Sequence, residues 1–446
     1  MNALTNLLVL LLLITSGRPI SLSVDAHALP PLHHRTGAPD ADVDLHPIVL
    51  VPGNGCSQID AELSEEYEPP SWAPASCGTR QGWFRLWRNG TALRDDAGHE
   101  AACYADQLRV VFDRQLGDYR NVAGVRTRVV GFGTTRGFGP DVAAENDDPS
   151  DPERGRCFKK MKEALQEIGY EEGGNLFGAP YDSRYSPAPP GMPAMVFSSF
   201  MADLRRLVEH ASRKNGGKPV ILVTHSKGGL VAVEFLTRSA TPWCKKYIKH
   251  LVMVSTGAGG IVVPMLSLAA SANAPRESLA ATERSYGDVF WALPSPKVFG
   301  EMPLVVTRCR NYSAYDIPEF LAAVGFSDDD IELYRMRALP IALGFRAPRV
   351  PMTAIYGAGV PTPEQLVYPV DDFSKEPEVV YGDGDGAVNL ASVLALDTVV
   401  GNDPEQGFFK AVKIVNATHR GIIVDEFALK RVISEILEAN RATYEK

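Results

Sequence analysis

The sequence predicts an α/β protein, a mostly parallel sheet covered by helices on both faces. Three observations lead there. Short apolar runs (His46–Val51, Val220–Val223, His250–Val254, Met352–Tyr356, Val412–Val415) are separated by stretches with helical spacing, such as 156–168 and 197–208. Strands that alternate with helices of about ten or more residues build parallel sheets, and runs apolar throughout suit strands buried on both faces. At Val220–Leu230 a β-branched strand breaks at Thr224-His225-Ser226-Lys227-Gly228 directly into a helix.

Of the 446 residues, 45% are hydrophobic and 22% charged, so a disordered, collagenous or coiled-coil chain is excluded. With 45 Lys and Arg against 54 Asp and Glu the net charge is −9, which argues against a nucleic-acid binder, because phosphate contacts need a basic face. Leu7–Ile14 is apolar but too short to span a bilayer, and Ala26-His27-Ala28 has the small-x-small form of a cleavage site. Residues 1–28 are therefore expected to be a signal peptide, the alternative being an uncleaved signal anchor. The mature protein is expected to be soluble or peripheral. Six cysteines (Cys56, Cys77, Cys103, Cys157, Cys244, Cys309) and sequons at Asn89, Asn311 and Asn416 fit the secretory pathway, the sequons marking expected glycosylation sites. No C-x-x-C occurs, and no metal or cofactor is expected.

Residues 29–44 read as an N-terminal arm. The expected α/β core comprises 45–56, 107–260 and 351–446. Val125–Val130 and Glu378–Tyr381 are assigned to its strands, and Asp425–Asn440 to its last helix. Residues 57–106, with Trp83, Phe84 and Trp87 between cysteines, form an expected insertion, either a satellite core or an interfacial anchor. From 261 to 350 the alternation fails and an acidic helix stands near Asp328–Arg337, which reads as a cap.

The strand–Ser226–helix junction is a nucleophile elbow. The turn is so tight that residues two positions either side of the serine must be small, and it lifts the hydroxyl above a helix N-terminus. Thr224 stands where the G-x-S-x-G pattern has its first glycine. A serine N-cap at an ordinary βα junction is the plainer alternative. In the α/β-hydrolase order the acid and then the histidine follow the serine. Only His250 and His419 do so, and His250 comes too soon to leave room for an acid-bearing strand. His419 is thus the expected base. Between them Tyr381-Gly382-Asp383-Gly384-Asp385-Gly386 offers two aspartates at a strand end, and spacing does not choose between Asp383 and Asp385. A calcium loop is excluded by Ala387 and Leu394 at ligand positions. Oxyanion donors are expected from the Lys227 amide and from the Pro52-Gly53-Asn54-Gly55 turn. Gly131-Phe132-Gly133 lacks the third glycine of a dinucleotide loop, Arg136 standing there.

These residues together resemble the lecithin–cholesterol acyltransferase family, nearest to its plant lecithin–cholesterol acyltransferase-like members, with lysosomal phospholipase A2 and phospholipid:diacylglycerol acyltransferase as relatives. The resemblance spans about 45–440. It rests on His46–Gly53, on Trp83-Phe84-Arg85-Leu86-Trp87 between Cys77 and Cys103, on Ala179-Pro180-Tyr181-Asp182-Ser183-Arg184, on Thr224–Gly228, on Asp383–Gly386 and on His419. It implies an α/β-hydrolase fold with a cap, a Cys77–Cys103 disulfide closing a membrane-binding loop, Asp385 as the acid and Asn54 as second oxyanion donor. The implied function is acyl transfer from a glycerophospholipid to a lipid alcohol such as a sterol at a membrane or lipid-particle surface. Phospholipase A action with water as acceptor is one alternative; a silent lipid-binding protein and a soluble esterase or peptidase are others. Three departures stand out: Lys227 where relatives carry Leu or Met, Cys56 in place of a small residue, and Ser183 in place of Trp. Cys157, Cys244 and Cys309 match no family partner.

Overall fold

A computed structural model of the chain describes residues 44–87, 99–138 and 157–444. The leading apolar run with its cleavage site, the arm up to residue 43 and Asn89 lie outside the described residues, and only the backbone of Trp87 is described.

Six strands make one sheet: β1 (Ile48–Val51), β2 (Leu176–Gly178), β3 (Val220–His225), β4 (Ile248–Val254), β5 (Met352–Ala358) and β6 (Phe409–Val415). Their order is β6-β5-β4-β3-β1-β2, and every neighbouring pair is parallel. Helices α1 (Lys159–Glu167), α2 (Met195–Lys214), α3 (Lys227–Thr237), α4 (Gly287–Trp291) and α5 (Glu426–Arg441) are those that matter for the site.

Successive residues of a strand point to opposite faces, so an all-apolar strand serves two cores at once. Val49, Val51, Leu222, Leu251 and Met253 pack with Phe197, Leu204 and Val208 of α2 and with Val231 and Phe235 of α3. Their strand neighbours Ile48, Leu50, Ile221, Val223 and Val252 pack with Met161 and Leu165 of α1 and with Leu429, Val432 and Ile436 of α5. One polar residue introduced into β1 or β3 would therefore spoil a core on whichever side it faced. β1 lies between β2 and β3, so the chain turns back across it. In such sheets a crevice opens at the strands' carboxyl ends, where the order reverses. Val51 is paired with Thr224 there, which sets the turn after β1 against the turn after β3.

Two expected core strands belong elsewhere. Val125–Val129 runs antiparallel to Ile59–Leu63, in a three-stranded sheet completed by Phe84–Trp87. Arg126 and Arg128 are exposed and alternate with the less exposed Val125, Thr127 and Val129, the pattern of a half-wet antiparallel strand, not of a buried parallel one. Glu378–Gly384 pairs antiparallel with Val360–Val367 in a small four-stranded sheet and is mostly exposed. β2 was not foreseen, because three residues are too few to show a period. Within 261–350, Met265, Phe290, Ile317, Phe320 and Tyr334 gather into a core that also takes Leu366 and Tyr368. The acidic helix there, Asp328–Leu333, is started by a capping box between Ser327 and Asp330.

Cys77 and Cys103 are bonded. A second disulfide, not foreseen, joins Cys56 to Cys157, with Cα atoms 5.6 Å apart. It ties the turn after β1 to the residue pair that starts α1. Cys244 is buried and free, and Cys309 exposed and free. Among the described residues no helix is long and apolar enough to cross a membrane.

The Cys56–Cys157 link closes a loop with a sequence separation of 101. Losing a native link of that kind costs about 2–5 kcal/mol. The Cys56→Ser/Cys157→Ser protein should accordingly unfold at lower guanidinium concentration than wild type under non-reducing conditions; coincident unfolding curves would contradict this.

Candidate active site

The carboxyl end of β3 carries the central feature. Ser226 follows directly, with φ 55° and ψ −130°, and α3 begins at the next residue. A positive φ costs a side-chain-bearing residue of the order of 1–3 kcal/mol, and it persists only where the surroundings hold it. Here they do. The Ser226 amide donates to the Val254 carbonyl at 2.8 Å, and its carbonyl accepts from Thr256 Oγ1 at 3.0 Å and from the Gly229 amide at 3.0 Å. The glycines around it are obligatory for space. A Cβ on Gly228 would lie 2.3 Å from the Val51 carbonyl oxygen, and one on Gly53 would lie 2.9 Å from the Ser226 Cβ. Thr224 is accommodated in the glycine position because its side chain is fully buried in β3, its hydroxyl 3.4 Å from the Val252 carbonyl.

His419 comes to this serine from the loop after β6. Its Nε2 is 2.9 Å from Ser226 Oγ, and its Nδ1 is 2.9 Å from Asp385 Oδ2. The backbone closes the same link, since the His419 amide donates to the Asp385 carbonyl at 2.7 Å. The other carboxylate oxygen of Asp385 accepts from the Val388 amide at 2.7 Å and the Ala387 amide at 3.1 Å. Burial by itself would raise the Asp385 pKa. The hydrogen bond and charge of His419, with these two amides, outweigh it and hold the carboxyl below its ordinary value. Asp383 stands apart: it is exposed and accepts from the Gly359 amide. The structure thus brings Ser226, His419 and Asp385 into one hydrogen-bonded chain and leaves Asp383 out.

Asn54, in the turn after β1, and Lys227, the first residue of α3, both line the pocket that holds Ser226. The first amides of a helix have no acceptor within it, so the Lys227 N–H is available to an oxyanion. The pocket is about 280 Å³, and its lining is largely apolar, with Leu230, Ile261, Val263, Val289 and Val388. The Lys227 side chain is buried against Asp288 of α4, and its ammonium sits 5.0 Å from the centre of the Trp291 ring. Burial presses the Lys227 pKa well below its usual value.

Residues 81–317 match the sequence profile of Lecithin:cholesterol acyltransferase. The chain is 40% identical over 404 residues to "Lecithin-cholesterol acyltransferase-like 1" of Oryza sativa subsp. japonica, covering 89% of this chain and 87% of that protein. The chain belongs to the lecithin:cholesterol acyltransferase family. It is also 32% identical over 375 residues to "Lysosomal phospholipase A and acyltransferase" of Canis lupus familiaris, over 82% of this chain and 86% of that one. Among solved structures, a chain of the Tle4–Tli4 complex superposes with a TM-score of 0.51 at 12% identity, over 89% of this chain and 98% of that chain. That likeness concerns the fold, which is the α/β-hydrolase fold.

The family motif Tyr181-Asp182-Ser183-Arg184 is largely structural here. Arg184 is buried, pairs with Asp182 at 2.6 Å and donates to the Leu108 carbonyl at 2.9 Å. Ser183 Oγ accepts from the Gly55 amide at 3.4 Å and so braces the turn that carries Asn54. Of the expected lipid contacts, Trp83 is 39% exposed, with Arg128 lying over its ring at 4.1 Å. Phe84 is half-buried against Tyr104 in the small core around Cys77 and Cys103. Asn311 and Asn416 are exposed.

His225 is the residue that the sequence reading missed. It is buried beneath the site, and its Nε2 lies 2.8 Å from the His419 carbonyl. A carbonyl only accepts, so the proton is on Nε2, and among the described residues Nδ1 has no hydrogen-bond partner. Burial first, and the neighbouring His419 second, push the His225 pKa down to about 3. Its place directly before the nucleophile was the only available signal. His250, buried between Thr353 and Tyr444, is pushed to about 3 chiefly by burial.

Both imidazoles take up a proton near pH 6.5 when unfolded but stay neutral to about pH 3 when folded. Between those values the unfolded chain binds more protons, so stability should fall as pH drops from 6.5 towards 3. Urea unfolding across that range should show a shallower pH slope for His225→Asn or His250→Asn than for wild type. Parallel slopes would contradict the assignment.

Proposed function

We propose that this protein is a lipid O-acyltransferase that moves a fatty acyl group from a glycerophospholipid to an alcohol through a serine acyl-enzyme. The observation that carries this reading is the chain from Asp385 through His419 to Ser226 at the mouth of an apolar pocket. His419 takes the Ser226 proton as Oγ attacks the ester carbonyl. The resulting imidazolium is stabilised by Asp385, which also keeps the proton of the neutral ring on Nδ1. The Asn54 and Lys227 amides receive the oxyanion; such a donor is worth roughly 3–4 kcal/mol in other enzymes. The alcohol of the donor lipid leaves with the proton from His419, and an incoming alcohol reverses the steps. We assign residues 261–350 as a cap over this pocket, since Val263, Tyr286, Asp288 and Val289 line it.

A second reading, phospholipase A with water as acceptor, uses the same residues. It is favoured by the polar groups in the pocket and by the canine relative, whose name carries both activities. The substrate places the protein at a lipid surface, with Trp83 as a contact. The leading apolar run, the disulfides and the sequons support passage through the secretory pathway.

Purified protein incubated with phosphatidylcholine vesicles containing a lipid alcohol should yield acyl ester and free fatty acid. Ser226→Ala should lower both by at least about a thousandfold; equal product from wild type and variant would defeat the proposal. Asp385→Asn should cost about 10⁴-fold by losing the ring orientation, whereas Asp383→Asn should stay within a few-fold. Equal losses in those two would overturn the choice of acid.

A further inference from the structure

The first three residues of α3 each meet a different neighbour. Gly228 abuts the Val51 carbonyl and Gly229 the Thr256 side chain, and neither position has room for a Cβ. Lys227 instead sends its side chain to α4, where it pairs with Asp288, each side chain 7% exposed. Among the described residues its ammonium has no partner besides this carboxylate and the Trp291 ring, whose centre is 5.0 Å away.

α4 is a wall of the pocket, Val289 lining it together with Ser226 and Leu230. With five residues it is too short to hold its shape alone, so its place is set by what it touches. Trp291 stands edge-on to Phe197 of α2 at 5.9 Å. Gly287 has no room for a Cβ beside the Tyr119 ring, and the Asp288 amide donates to the Arg184 carbonyl at 3.4 Å. None of these contacts ties α4 to the turn that carries Ser226. The Lys227–Asp288 pair does.

A buried ion pair is a poor way to gain stability. Desolvating two charges costs much of what their attraction returns, and an apolar pair of similar volume often does as well or better. What the ion pair has, and an apolar contact lacks, is direction: the carboxylate fixes where the ammonium ends, and the ring face fixes it from a second side. Direction matters beside a nucleophile, since a misplacement of about 1 Å can cost about a hundredfold in rate. We propose that Asp288 is a positioning residue: bound to Lys227 beside the Trp291 ring, it struts α4 against the nucleophile turn and so sets the pocket wall relative to Ser226 Oγ. The inference rests on the acyltransferase reading and goes beyond it, because the strut acts on whichever acyl ester Ser226 attacks and not on the choice of acceptor. Asp288 touches no reacting atom and acts through Lys227.

The test compares full-length wild type with Lys227→Met/Asp288→Leu, which removes both charges and strands neither, and with Asp288→Asn and Asp288→Glu. Initial rates of acyl release from phosphatidylcholine vesicles give kcat and KM. A fluorophosphonate reacted to completion with Ser226 counts the competent protein, and guanidinium unfolding gives stability. The double variant should unfold at or above the wild-type midpoint. Its kcat per labelled site should nevertheless fall at least about tenfold, with KM within about threefold. Asp288→Asn should lose kcat in the same way, and Asp288→Glu, which keeps the charge, should recover part of that loss. Amide exchange over residues 287–292 should quicken about tenfold in the double variant, while that of β3 stays unchanged. A merely structural pair would lower the midpoint and the number of labelled sites and leave kcat per site alone. That result, or exchange and kcat unmoved in both the double variant and Asp288→Asn, would overturn the inference while leaving the Ser226 chemistry standing. If the double variant does not fold, Asp288→Asn against Asp288→Glu decides: equal kcat in the two would overturn it. No acyl product from wild type would overturn the acyltransferase reading and the role of the strut with it.

Discussion

Ser226 at φ 55° is the constraint on which the rest depends. The conformation is strained, and it is useful because it turns Oγ out of the sheet while leaving the Lys227 amide at the start of α3. Its persistence needs a parallel neighbour on each side. β4 supplies the Val254 carbonyl to its amide, and the turn after β1 comes so close that only glycine fits at 53. A sheet with both cores packed to density is what makes those neighbours rigid. The alternating apolar residues of β1, β3 and β4 therefore determine the direction of the Ser226 hydroxyl as well as the stability of the fold.

A parallel sheet also explains why residues distant along the chain converge. Every strand ends on the same side, so the loops after β1, β3 and β6 meet over one crevice. Asn54, Ser226 and His419 arrive by that route. Asp385 does not: it stands beyond the end of an exposed antiparallel strand, held by the amides of Ala387 and Val388. Its position thus relies on a local turn and on the bond between its own carbonyl and the His419 amide. His225 reinforces the same loop from beneath by donating to the His419 carbonyl. His419 is thus held at its amide, its carbonyl and its ring, and it presents one nitrogen to Ser226 and the other to Asp385.

The pocket shows the same economy. Lys227 opens α3 beside Ser226 and sends its side chain to Asp288, so a single residue links the turn after β3 to α4. A charged pair so poorly exposed is costly to break singly.

The local chemistry of this site was legible in the sequence. A strand, a serine and a helix leave few alternatives for Thr224–Gly228, and chain order with only two following histidines isolates His419. The composition and the apolar runs sufficed for a parallel α/β sheet, because strands buried on two faces cannot hide their pattern. Relations across space were not legible. Whether Val125–Val129 and Glu378–Gly384 join the main sheet depends on which edges are free to pair. The Cys56–Cys157 bond depends on where two loops meet, and spacing carries no such information. The choice of Asp385 over Asp383 turns on side-chain direction at the end of a strand, where the regular period of two no longer applies. Lys227 was visible as an odd residue, but that its partner is Asp288 follows from α4 reaching the start of α3, which only the tertiary structure decides.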